Sequence, residues 1–157
     1  MAITKINNNA LSAVTTLPFG TGKILQLVTA TDNTQRETTS TSYVTASNTL
    51  SVTITPTSAS NQIFIQVSAT GYYSAAAQFG AYTLFKNGSN IITEGFSKLY
   101  NGNNAIGGAV QMAFKDTPGN TSAHTYEVRM KISSTGTVYL NANSGTYGLI
   151  SAYEIEV

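Results

Sequence analysis

Apolar residues recur at every second position in several short stretches of the chain. Leu50, Val52 and Ile54 alternate with Ser51, Thr53 and Thr55, and Pro56 ends the stretch because proline cannot continue a central ladder. Gln62 to Ala69 repeats the pattern, with Ile63, Ile65 and Val67 on one face and Phe64 on the other. Leu149 to Val157 closes the chain as a strand, with Ile150, Ala152, Glu154 and Glu156 opposite Ser151, Tyr153, Ile155 and Val157. Lys23 to Val28 is short and apolar, whereas Gln35 to Val44 is dominated by Ser and Thr and reads as an exposed or edge strand. Tyr82 to Lys86 and Asn90 to Thr93 flank Asn87-Gly88-Ser89, and an Asn-Gly step between two apolar runs predicts a hairpin because both residues tolerate positive φ. Ala109 to Lys115 and Thr125 to Ile132 flank Asp116-Thr117-Pro118-Gly119-Asn120, whose residue types suit a turn, and Val138 to Leu140 is one more short strand.

These runs predict about nine or ten strands and no helix, a spacing that points to a sandwich or a barrel. The stretches 70–80, with Gly and Ala, and 94–108, with Gly and Asn, read as long connections that cross between sheets. The expected fold is all-β: a two-sheet antiparallel β-sandwich of jelly-roll type, with an extended N-terminal arm. The boundary falls near residue 22, leaving 1–22 as the arm and 23–157 as the domain. The arm carries isolated apolar residues at Ile3, Ile6, Leu11, Val14, Leu17 and Phe19, with a break at Pro18. Its Asn7-Asn8-Asn9 run disfavours a helix, since amide side chains compete for the backbone. Chain ends commonly fray. Six sizeable apolar side chains favour instead an arm that anchors on a neighbouring subunit.

Composition narrows the function. The chain has 157 residues, 41% of them hydrophobic and only 10% charged, against roughly a quarter charged in an average domain. Ser, Thr and Asn fill the gap, so the polar surface is made of hydroxyls and amides. Nine Tyr and six Phe among many β-branched residues exclude disorder. The net charge of +1 arises from scattered Lys and Arg, with no basic face of the kind nucleic acid requires. No stretch reaches the 18 or so apolar residues of a membrane helix, and Met1 to Asn9 lacks the apolar core of a signal peptide. The absence of cysteine excludes disulfides and thiolate metal sites. Expected partners therefore include neither nucleic acid nor membrane.

Candidate chemistry is sparse. His124 is the only histidine and lies beside a turn at the start of a strand, the position of a solvated turn residue. Asp32 and Asp116 sit in turn contexts, where the side chain bonds the local backbone. Glu154 and Glu156 share a strand face, and the plain reading is a solvated strand edge; no Asp- or Asn-rich calcium loop accompanies them. Glu127 and Arg129 alternate on one face as a surface pair. No nucleophile elbow, phosphate loop or dinucleotide fingerprint occurs, and Gly107-Gly108 has no phosphate-binding context. The expectation is a protein without catalysis, cofactor or metal.

The aromatic residues say more. Tyr72, Tyr73, Phe79, Tyr82 and Phe85 cluster around a Gly/Ala-rich stretch, with Phe85 expected in the core. Tyr72 and Tyr73 are neighbours and point to opposite sides of a strand, so at least one of them faces a loop, an interface or a ligand. Tyr72, Tyr73, Phe79 and Tyr82 are therefore the interface or ligand candidates, since tyrosine combines large apolar area with a hydrogen-bonding tip. A carbohydrate platform uses the same chemistry.

The segment from Gly22 to Ala30 resembles the opening of a β-sandwich domain found in tail-fibre and other virion proteins of aquatic phages. The Ser/Thr-rich Thr39 to Val44, the stretch Leu50 to Ile65, Asp116 to Gly119, Thr125 to Val128 and the closing strand Ile150 to Glu156 are similar as well. The likeness covers about residues 22–157, and its motifs belong to a fold, with no chemistry attached. It implies a trimeric jelly roll comparable in shape to tumour-necrosis-factor-like heads. Tail-fibre members carry a long repetitive stalk, whereas about 22 residues precede the domain here. That departure favours a capsid cement, or decoration, protein that clamps major capsid subunits on the outer surface of the head, over a tail-fibre or receptor-binding component that engages a host surface glycan.

Overall fold

The computed structural model describes residues 22–92, 95–102, 105–141 and 146–157. The expected arm, with Ile3, Ile6, Leu11, Val14, Leu17 and Phe19, lies outside the described residues. The described chain is all-β. Its strands are β1 (Ile24–Asp32), β2 (Arg36–Thr38), β3 (Val44–Thr45), β4 (Ser51–Ile54), β5 (Gln62–Tyr73), β6 (Gln78–Lys86), β7 (Ser89–Asn90), β8 (Ser97–Asn101), β9 (Ile106–Asp116), β10 (His124–Ile132), β11 (Val138–Leu140) and β12 (Gly148–Ile155).

Several of the short strands share one lane of a sheet. In the first sheet β5 pairs with β9 on one side and with both β12 and β11 on the other, while β1 flanks β12 and β2 flanks β11. In the second, β10 lies between β6 and the β3/β4 lane, and β6 also pairs with β7 and β8. Numbering the eight lanes in chain order gives 1-8-3-6 in one sheet and 2-7-4-5 in the other, all antiparallel. That is jelly-roll connectivity.

Alternation puts the core between the sheets. Ile63, Ile65 and Val67 of β5, Val110 and Met112 of β9 and Ile150 and Ala152 of β12 face Val52, Ile54, Leu84, Val128 and Met130, all buried. Each of these Val, Leu, Ile and Met side chains contributes about 1.5–3 kcal/mol by leaving water. Two buried tyrosines add hydrogen bonds, one between the sheets and one to the loop that joins β10 to β11. The Tyr82 hydroxyl crosses the core from β6 to donate to the Tyr139 carbonyl, and the Tyr73 hydroxyl donates to the Thr135 carbonyl. Gly71 permits the first tie, because a Cβ at that position would lie 2.5 Å from the Tyr82 hydroxyl oxygen.

Four expectations need correction here. The stretch 70–80 is no long connection: β5 runs through it to Tyr73, and β6 begins at Gln78. Likewise, 94–108 contains β8 and the start of β9. The predicted strand over Gln35 to Val44 divides into β2 and β3, in different sheets, because hydroxyls turn the chain: Ser40 N–H donates to Thr38 Oγ1 and Ser42 N–H to Ser40 Oγ. Finally, Phe85 is buried on the outside of the second sheet, beneath the Arg129 guanidinium and beside Tyr43. The predicted hairpin is present, with φ of 49° at Asn87 and 79° at Gly88.

Candidate functional site: the outer face of the first sheet

Residues directly opposite one another in an antiparallel pair point to the same side, so the register fixes which residues share the outer face. One row across the first sheet reads Leu27, Tyr153, Phe64, Lys115. Below it Ile24 and Ile155 are partners, with Gln62 beyond. The middle rows read Thr29, Ser151, Gln66, Ala113 and then Thr31, Leu149, Ser68, Gln111. The far row is Glu37, Tyr139, Tyr72, Gly107. Across these rows the only ionic side chains are Lys115 and Glu37, at diagonally opposite corners. Ile24 and Leu27 are 57% and 53% exposed, far more than apolar side chains need be without a partner. Phe64 and Tyr153 pack together with ring centroids 6.2 Å apart, and Tyr72 and Tyr139 at 5.5 Å.

The outer face of the second sheet differs in kind. Three of its aromatic rings are covered by cations from the same chain, with Arg129 4.1 Å from the Phe85 ring, Lys131 4.6 Å from Tyr43 and Lys98 5.2 Å from Phe79, while Tyr100, the partner of Phe79, is 63% exposed. The expected Glu127–Arg129 pair forms there at 2.6 Å. Thr83 points outward yet is buried, donating to the Ile92 carbonyl of a segment that folds over β6.

The four aromatic candidates therefore separate. Tyr72 lies on the outer face of the first sheet, and Phe79 beside Lys98 on the second. Tyr73 and Tyr82 are 0% exposed, with Tyr82 tying the two sheets and Tyr73 bonded to the β10–β11 loop, which corrects their assignment as interface or ligand residues. Phe64, Tyr139 and Tyr153 join the face although they were not singled out from the sequence. Alternation did place Phe64 and Tyr153 opposite the core residues of their strands.

The acid–base groups are held by structure. Glu154, expected on a solvated edge, is 0% exposed. Its carboxylate accepts hydrogen bonds from Gln26 Nε2 (2.6 Å), Thr57 N (2.6 Å), Thr57 Oγ1 (2.8 Å) and Asn61 Nδ2 (2.7 Å). Burial pushes its pKa up, but these bonds outweigh burial and bring it down to about 2. At the other end of β1, burial likewise raises the Asp32 pKa. Ser47 Oγ–H, Thr34 N–H and the Arg36 guanidinium together prevail and lower it to about 2.

His124 is buried, which corrects its placement as a solvated turn residue. Its Nδ1 accepts from Asn87 Nδ2 at 3.3 Å and its Nε2–H donates to Asn120 Oδ1 at 3.2 Å. Burial first, and the Lys86 charge second, hold the imidazole below its usual pKa. Asp116 accepts from Lys86 Nζ at 2.6 Å and from the Tyr126 hydroxyl. Among the described residues no group of three or more His, Asp or Glu side chains is placed to hold a metal ion, and no helix is long and apolar enough to cross a membrane.

No protein-family model matches the chain, and no curated protein matches it in sequence.

Proposed function

We propose that this chain is a structural protein of a bacteriophage particle. In this reading it is a capsid cement or decoration protein that binds major capsid subunits on the outside of the head as a homotrimer. One observation carries the proposal: the outer face of the first sheet is nearly uncharged, with Ile24 and Leu27 exposed and Phe64, Tyr153 and Ile155 half-buried beside them at one end. A soluble monomer gains nothing from such a patch, whereas copies of the same chain gain by covering it. The jelly-roll lane order and the likeness of residues 22–157 to phage virion sandwiches support the same reading. The buried, fully bonded state of His124 and Glu154 supports a role without catalysis. Binding to the assembled shell and not to free subunits would stabilise the shell by mass action.

Sedimentation of the full chain tests self-association. The expected species is a trimer, and Leu27→Glu or Tyr153→Glu should yield folded monomers with an unchanged circular dichroism spectrum. A wild-type monomer at tens of micromolar would remove the homotrimer. Imaging of intact particles tests location: hundreds of copies on the head agree with the proposal, and a few copies confined to the tail would replace it with a tail-fibre or receptor-binding role. That second reading draws on the row formed by exposed Glu37 and half-buried Tyr139 and Tyr72.

A further inference from the structure

The far end of the same face is chemically unlike the apolar end. From Phe64 to Tyr72 along β5 is about 27 Å, so the two ends are separate places on the surface. Glu37, Tyr139, Tyr72 and Gly107 stand in line across four adjacent strands. The two rings meet at an interplanar angle of 63°. Tyr72 leans towards β9, where its Cδ2 is 3.7 Å from the place a Gly107 Cβ would occupy. Gly107, Gly108 and Ala109 are all exposed and leave a shelf of nearly bare backbone beside the ring. Glu37 is exposed and makes no hydrogen bond or ion pair among the described residues. Two residues before Tyr72 on the same side of β5, Thr70 Oγ1 has no hydrogen-bond partner.

A second copy of the chain is a poor occupant for this end. Drying an unpaired carboxylate costs several kcal/mol unless a cation meets it. The one ionic partner on the face, Lys115, sits at the opposite corner. An anionic ligand would be repelled by Glu37, and the nearest cation in sequence, Arg36, is engaged by Asp32 at 3.2 Å. A small cation needs ring faces that converge as a cage, and these two rings meet edge to face. A neutral pyranose fits. It offers one apolar face for a tyrosine ring and a rim of hydroxyls for a carboxylate, which accepts strong charge-assisted bonds. The glycine shelf leaves room beside the ring for a saccharide.

We propose that the Glu37–Tyr139–Tyr72–Gly107 row is a binding subsite for one neutral pyranose unit of a glycan, stacked on Tyr72 and hydrogen-bonded through its hydroxyls to Glu37. The site is intrinsic to the single chain and does not depend on where the protein sits in a particle.

The test is an NMR titration of the isotopically labelled full chain with neutral trisaccharides built on glucose, galactose, mannose, N-acetylglucosamine and rhamnose. At least one should give saturable shifts confined to residues 37, 70–73, 107–109 and 139, with a Kd on the order of millimolar. Tyr72→Ala should weaken that binding about tenfold and Glu37→Gln several-fold, while Tyr72→Phe retains most of it. Tyr100→Ser, which removes a tyrosine 63% exposed on the other sheet, should change nothing. No saturable shift with any of the five sugars would overturn the proposal. So would equal loss in Tyr100→Ser, or the same shifts produced by tetramethylammonium or a sialylated sugar when the neutral ones produce none. Loss of self-association in a Leu27 or Tyr153 variant with sugar binding intact would leave this site standing while removing the homotrimer.

Discussion

Glu154→Gln is the most informative single change to the fold. The carboxylate is fully buried and bonded to four donors, all neutral, so hydrogen bonds alone hold its charge. A pKa brought from 4.5 to about 2 corresponds to about 3 kcal/mol of folding free energy. The sign follows from linkage: the folded pKa is depressed, so the contribution is complete above pH 4.5 and is lost as pH falls towards 2. Glutamine keeps the shape but presents an NH2 group to a ring of donors. Gln26 cannot simply turn its amide round, because its Nε2 also donates to the Thr55 carbonyl at 2.7 Å. Urea unfolding at one fixed protein concentration, at pH 7 and pH 2, measures the effect. At pH 7 the variant should be less stable by about 3 kcal/mol, which moves the midpoint by roughly 1–3 M urea. At pH 2 the two proteins should differ by less than about 1 kcal/mol, since the wild type has lost most of the same contribution. A gap of equal size at both pH values would refute the reasoning and mean that shape, not charge, is what Glu154 supplies.

Three further changes probe the frame. Gly71→Ala should cost about 1–3 kcal/mol, because its Cβ would meet the Tyr82 hydroxyl at 2.5 Å and Val110 Cγ2 at 2.7 Å. In Tyr82→Phe the first of these obstacles is gone, so a double-mutant cycle should show coupling above about 0.5 kcal/mol; strict additivity would disprove the tie. Ala77 holds a φ of 57° without being glycine, and Ala77→Gly should stabilise by about 0.5–1 kcal/mol in thermal unfolding, with destabilisation the contrary result. The His124 ring should titrate below 6.5 by NMR, and stability should decline as pH falls below 6.5, since the native state holds the neutral ring; a midpoint above 6.5 would contradict the burial argument.

Alternation made much of the fold legible. β5, β10 and β12 have their inward residues where the period of two places them, and Asn87-Gly88 turns as its φ preferences require. What escaped depends on residues far away in the chain. Gly71 looked like a loop glycine because its reason, the Tyr82 hydroxyl, comes from the other sheet. Glu154 looked solvated because its donors Asn61 and Gln26 lie 93 and 128 residues away. β6 concealed its period because both faces are covered: Tyr82 and Leu84 by the core, Phe85 by Tyr43 and Arg129. The tyrosine cluster was visible as composition, but only the register shows that Tyr72 belongs with Tyr139 and Glu37, which come from other strands.

The edges of the first sheet bear on the same question as its face. β9 is an 11-residue strand that pairs with β5 alone among the described residues, and no other described strand pairs with its far edge. A long free edge invites pairing with other chains, and proteins commonly guard such edges with charge, proline or a covering element. β9 has its ionic residues, Lys115 and Asp116, only at its end, and glycine at 107 and 108. The nearly uncharged face and the β9 edge, which no other described strand pairs, adjoin, so one neighbouring copy set against them would cover both at once. On the second sheet, cations cover three of the rings and the segment near Ile92 covers β6. In an assembly formed this way the cation-covered sheet would face outward. Charge placed on β9 at Ala113, an exposed position on the outer face away from the Gly107–Ala109 shelf, should then disperse the assembly as effectively as charge at Leu27. Sedimentation of Ala113→Lys checks this; an undisturbed assembly would mean that copies meet without using β9.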